Sequence, residues 1–116
     1  MRSVSLRPMV EELTAPEVAR RLRGEGAPVL LLDVREPFER EFARIEPSIH
    51  IPMQEVPSRL GEIGRDRQVV VYCHSGGRSA MVAGFLENHG FAGAANLVGG
   101  IDAWSRQVDP AVPRYG

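Results

Sequence analysis

The chain holds one cysteine, Cys73, which opens a short polar loop, "CHSGGRS", residues 73–79. A thiol attacks as its thiolate, and the thiolate is favoured near cations and helix N-termini. The residues after Cys73 supply both. Gly76 and Gly77 let the backbone curl so that several N–H groups converge on one point. Arg78 adds a full positive charge, and the helix expected from Ser79 onward would aim the positive end of its dipole at the loop. No carboxylate lies within the loop to oppose an anion. Such a cradle would hold a thiolate, an anionic ligand beside it, or a sulfur atom carried on the cysteine as a persulfide. The competing reading is an inert, buried small hydrophobe that ends a strand; the glycines, the arginine and the helix start argue against it. His74 either raises the local positive charge or faces solvent. Ser75 either donates to the anion or caps the helix. Cys73 is thus the candidate catalytic residue, and His74, Ser75, Gly76, Gly77, Arg78 and Ser79 are the candidate substrate-binding residues.

A single cysteine excludes an internal disulfide and a cysteine-rich metal site. It leaves no resolving thiol in the chain, so a reactive Cys73 must exchange with a small molecule or another protein. His50 and His89 have no cluster partners, so no metal is implied, and no cofactor is expected. Asp33 and Arg35 follow an apolar run and have two readings, the rim of the same pocket or a structural ion-pair network. The network suits Asp33 better, because a carboxylate facing a thiolate would hinder its ionisation. Arg35 fits either and stands with the substrate-binding candidates. Trp104 with Gly99 and Gly100 is most simply turn plus core, and Glu36, Phe38 and Phe42 are helix start and core. The formal net charge is −1, so no basic excess argues for nucleic acid. No apolar run approaches the roughly 20 residues of a membrane span, and the first residues lack the apolar core of a signal peptide. A soluble, cytoplasmic protein with neither a nucleic-acid nor a membrane partner is expected.

The elements around the loop alternate in type. Thr14 as N-cap, Pro16 in the first turn and Glu17 at the capping-box position start a helix that Gly24 and Gly26 end. "PVLLLDV", residues 28–34, is a continuous apolar run of the kind a sheet covered on both faces requires. "EPFEREFA" is a short helix, "SIHIP" a short strand or turn, and "QEVPSRLGEIG" a short helix started by proline. "QVVVYC" is a second buried strand that ends at Cys73. "SAMVAGFLENHG" is a helix with Val82, Ala83 and Leu86 inward and Gly90 as its stop. "AANLVGG" and "IDAWSRQ" give a last strand and helix, and "VDPAVPRYG" is expected to lie along the surface or fray. The alternation implies a mostly parallel sheet with helices on both faces. Ligands of such sheets sit beyond the carboxyl ends of the strands, where Cys73 is.

At these residues the sequence resembles a known family, the single-domain rhodaneses, which are sulfurtransferases. "VLLLDVREPFEREFARIEPSIHIPM" and "VVVYCHSGGRSAMVAGFLENHGFAGAANLVGGIDAW" resemble the family's pattern of an apolar strand ending in "DVRE", then "GHI…A-INIP", "YC-x4-RS" and "GF…L-GG-x-AW". The four motifs stand in order and span about Glu11 to Trp104. Arg44 replaces the histidine common in "GHI", and Ser48 stands in a glycine-like place. The resemblance implies an α/β, rhodanese-like fold with about five strands, a domain over residues 10–107, an extension over 1–9 and a tail over 108–116. It implies Cys73 as the sulfur-carrying nucleophile and the loop N–H groups as an anion cradle.

Related phosphatases on this fold have one more residue in the loop, and one residue adds about 3 Å of reach. Four residues between Cys73 and Arg78 therefore suit a sulfur atom better than a phosphoryl group. The expected activity is that of a thiosulfate sulfurtransferase, with a small-molecule sulfur donor and cyanide or a thiol as acceptor. The alternative is a carrier that hands its persulfide to a specific sulfur-acceptor protein; a phosphatase or arsenate reductase on the same scaffold is the weaker rival.

Overall fold

The computed structural model describes residues 10–116; the extension expected over 1–9 lies outside them. Five strands, β1 (Glu11–Leu13), β2 (Val29–Asp33), β3 (Ile49–His50), β4 (Gln68–Tyr72) and β5 (Ala95–Leu97), form one sheet in the order β1-β5-β4-β2-β3. Every strand pair among the described residues is parallel. Four α-helices, α1 (Ala15–Leu22), α2 (Pro37–Phe42), α3 (Gly77–Glu87) and α4 (Gly100–Gln107), and two 3-10 helices, Met53–Ser58 and Leu60–Glu62, make the connections. No helix among the described residues is long and apolar enough to cross a membrane.

Alternation along the strands divides the core in two. Val70 and Tyr72 of β4 join Leu31, Ala95 and Leu97 beneath α1 and α4, where Val18, Ile101 and Trp104 pack. Val69 and Val71 point the other way, with Leu32, beneath Val82, Ala83 and Leu86 of α3. Cys73 continues this second set. The period of two thus fixes the face on which the thiol lies before any loop geometry is considered.

Local chemistry explains most boundaries. Thr14 caps α1 by accepting from the Glu17 N–H at 3.3 Å, and Pro16 costs no bond in the first turn. Pro57 lies inside the 3-10 segment Met53–Ser58, where its missing N–H and the crowding of its ring on the carbonyl four residues back disfavour a regular α-helix.

Glu11–Leu13, which carries no sequence reading, precedes the Thr14 cap as a strand, β1, and pairs with β5 at the sheet edge. One expectation is corrected. Phe38 and Phe42 are exposed, at 71% and 54%; α2 instead turns Glu39 inward, to a partner described below. Of the two readings of the proline-rich end, the structure has it lie along the surface: Val112 and Tyr115 pack against the α1–α4 side of the core.

Candidate active site

The chain leaves β4 at Cys73 and enters α3 at Gly77, so the turn between them is short. Gly76 occupies the N-cap with φ 115°, a conformation side chains rarely adopt. The turn brings two backbone donors onto the sulfur: Gly76 N lies 3.2 Å and Ser79 N 3.3 Å from Sγ. Ser79 Oγ is also 3.3 Å from Sγ.

The carbonyls of the same turn are held from behind by α4. Ile101 N donates to Cys73 O at 2.9 Å and Asp102 N to His74 O at 3.1 Å. This approach requires glycine at position 100, where a Cβ would stand 2.4 Å from Cys73 O and φ is +60°. The "GG" before Trp104 therefore serves the cysteine turn as well as its own.

Arg78 projects from the first turn of α3 and is gripped by Glu39, with Nη1–Oε1 at 2.8 Å and Nη2–Oε2 at 3.0 Å. Glu39 Oε2 accepts a third bond from Tyr115 Oη at 2.8 Å. The Tyr115 hydroxyl in turn accepts from Arg35 Nη1 at 2.9 Å. Arg35 is fully buried and pairs through Nε and Nη2 with Asp33, at 2.8 and 2.7 Å. It also donates to the carbonyls of Ala43 and Glu39, at 2.6 and 3.3 Å. A continuous chain, Asp33–Arg35–Tyr115–Glu39–Arg78, thus runs from the sheet to the base of the cysteine turn.

The ionisation states follow. Burial works against a Cys73 thiolate, but the Ser79 hydroxyl where its proton turns to Sγ, the Ser79 and Gly76 N–H donors and the Arg78 charge act against burial and hold the thiol below its ordinary 9.0. Burial also opposes the Glu39 carboxylate, yet Arg78, the α2 backbone and Tyr115 bring it down to about 2. Asp33 is lowered in the same way by Arg35 and Arg40 against its burial. Tyr115 is pushed up to about 12, by burial first.

Of the residues singled out from sequence, Gly76 and Ser79 meet Cys73 at the sulfur, and Arg78 acts there through its charge while paired with Glu39. His74 does not face open solvent: its ring stacks on Tyr115, centroids 4.3 Å apart, and Nε2 meets Tyr115 O at 2.8 Å. Ser75 is exposed and Gly76 takes the cap position. Gly77 is the exposed first residue of α3. Arg35 lies in the buried network with all its guanidinium nitrogens engaged. Three participants carried no local sequence signal. Glu39 resembles any charged residue of a short helix, Tyr115 lies in the proline-rich end, and Asn96 sits unmarked in β5. Asn96 Oδ1 accepts from Ser79 Oγ at 2.6 Å.

Comparison with known proteins identifies the domain family. A rhodanese-like domain is matched over residues 14–107. A sulfurtransferase of Allochromatium vinosum is 39% identical over 108 residues, which cover 93% of this chain and 100% of that protein. An adenylyltransferase and sulfurtransferase of Zea mays is 35% identical over 120 residues, covering 97% of this chain but 25% of the maize protein. Among solved structures, a rhodanese-related protein from Thermoplasma volcanium superposes with a TM-score of 0.77 at 30% identity, covering 90% of this chain and 99% of that one.

Proposed function

We propose, since the chain belongs to the rhodanese-like domain family, that its rhodanese-type sulfur transfer proceeds through a persulfide on Cys73. The observation that carries this is the convergence of the Gly76 and Ser79 N–H groups on Sγ. Fixed donors favour the sulfur anion without reorganising during the reaction.

In the first step the Cys73 thiolate attacks the sulfane sulfur of a donor such as thiosulfate. The new S–S bond forms as the donor's S–S bond breaks, and its electron pair leaves with sulfite. In the second step an acceptor thiolate, or cyanide, attacks the outer sulfur, and the Cys73 thiolate is the leaving group. Negative charge remains on sulfur throughout, and no proton donor for a leaving group is needed. The four-residue spacing to Arg78 supports sulfur over a phosphoryl group. Arg78 contributes its charge while bound to Glu39, so the cradle for the donor rests chiefly on backbone N–H groups and the α3 N-terminus.

A relative from Bacillus subtilis named as a putative sulfur carrier protein, 38% identical over 79 residues, favours a second reading. In it, the acceptor is a protein and small-molecule turnover is incidental. The absence of a second cysteine suits both readings, because release is intermolecular in each. A cytoplasmic setting agrees with a free, reactive thiol.

Treatment with thiosulfate is expected to add about 32 Da to Cys73, visible by intact mass, as a covalent intermediate requires. Cyanide should remove it, and Cys73→Ser should abolish both the adduct and thiosulfate:cyanide turnover. Full activity in Cys73→Ser would defeat the proposal. A persulfidated protein that discharges only to a protein acceptor would establish the second reading.

A further inference from the structure

The Ser79 hydroxyl has one proton and two acceptors in reach, Asn96 Oδ1 at 2.6 Å and Cys73 Sγ at 3.3 Å. Which receives it depends on the orientation of the Asn96 amide, which presents an acceptor on one side and donors on the other. The parallel register places Asn96 of β5 opposite Glu12 of β1. Asn96 Nδ2 donates to Glu12 Oε1 at 3.0 Å. A carboxylate only accepts, so Glu12 turns the NH2 side of the amide outward and the carbonyl inward onto Ser79. The hydroxyl then donates to Asn96; otherwise two oxygens 2.6 Å apart would face each other with no proton between them.

We propose that Glu12 and Asn96 are positioning residues that direct the Ser79 hydroxyl proton away from Cys73 and so restrain its thiolate population. The alternative arrangement is equally complete in hydrogen bonds. With the amide reversed, Nδ2 donates to Ser79 Oγ, Oδ1 faces the solvated sheet edge, and the Ser79 proton goes to Sγ. The thiolate then has three donors in place of two. The restraint has a chemical use, because a thiolate stabilised too far becomes a poorer nucleophile. Glu12 is exposed on an edge strand and makes no contact with the sulfur, so it acts through Asn96 and Ser79. The other charged or titratable groups about Cys73 are Arg78 on α3, its partner Glu39 on α2, His74 in the turn, Tyr115 stacked on it and Asp102 at the start of α4; replacing Glu12 leaves all of them in place.

The inference rests on Cys73 as the sulfur-carrying group and adds what sets its charge. The test is the rate of Cys73 alkylation by iodoacetamide against pH in wild type, Glu12→Ala, Ser79→Ala and the double variant, a cycle that isolates coupling between the two sites. The alkylation midpoint should fall by about one pH unit in Glu12→Ala, the worth of one added charge-assisted hydrogen bond, and the rate at a fixed pH below it should rise about threefold, because the better-stabilised thiolate is the poorer nucleophile. In the Ser79→Ala background the same substitution should change nothing. An unchanged profile in Glu12→Ala overturns the proposal. So does an acceleration that survives without the Ser79 hydroxyl, because that would be a through-space effect of removing a charge. Alkylation reads the thiolate directly, so loss of this relay is distinguishable from failure of persulfide formation, which the mass measurement reports.

Discussion

Cys73 is 1% exposed, and a thiol so buried would ordinarily resist ionisation. What reverses this is short-range donation, with the Arg78 charge as a smaller contribution. The ranking has a measurable consequence. Arg78→Gln removes the cation and leaves the Glu39 carboxylate uncompensated on the same side, so both changes disfavour a thiolate. The pH midpoint of Cys73 alkylation is expected to rise toward the ordinary 9.0, while the backbone donors keep some ionisation in place. A midpoint that stayed put would mean that neither charge is felt at the sulfur and that the hydrogen-bond donors alone set its ionisation. At this scale the sequence was informative where the chemistry is contiguous. Cys73, Gly76, Arg78 and Ser79 lie within seven residues, and Gly76 takes a backbone conformation that other residues rarely adopt. Glu39 and Asn96 reach the site through folding alone, and an acidic residue on a short helix or a polar residue in a strand has many commoner explanations.

Among the elements, α2 and the segment after α4 depart furthest from their sequence patterns, and for one reason. The i, i+4 pair Phe38 and Phe42 suggests an apolar inner face for α2, but the bond from Glu39 to Arg78 turns the helix so that both rings face outward. The 108–116 segment has no periodicity of its own. Its order comes from contacts 76 and 80 residues distant, Tyr115 with Glu39 and with Arg35, and from the Arg114–Asp102 ion pair at 2.9 Å. Tyr115→Phe keeps the ring stacked on His74 but removes a donor from Glu39 and an acceptor from Arg35. Both are buried ionic groups, so a loss of roughly 1–3 kcal/mol is expected. Urea unfolding monitored by circular dichroism should show the midpoint fall with an unchanged slope. A variant as stable as wild type would mean that water replaces the hydroxyl and that the segment only rests on the domain.

Across the whole molecule, the sheet was the most legible feature, because apolar runs that admit no polar face leave a parallel, doubly covered sheet as their main solution. Register was not legible, and it is register that places Glu12 opposite Asn96 and Asp33 opposite Tyr72. Asp33 is the inner anchor of the ionic chain, buried with Arg35 and reached by Arg40 at 3.2 Å. Its carboxyl and that of Glu39 both titrate below their ordinary values of 3.8 and 4.5. Groups lowered on folding contribute stability that is complete above the ordinary value and is lost as pH falls through the folded one. The melting temperature should therefore hold above pH 4.5 and fall steeply toward pH 2, where Glu39 finally takes up its proton. Asp33→Asn leaves the Arg35 guanidinium buried without its counter-charge and should cost about 3–5 kcal/mol at neutral pH. The same variant should lose less than wild type on acidification, because one of the titrating carboxyls is gone, so the two melting curves converge as pH falls. Parallel curves from neutral pH to pH 2 would place the acid sensitivity elsewhere and leave Asp33 a packing residue, since only an ionised carboxylate makes the difference between Asp and its amide depend on pH.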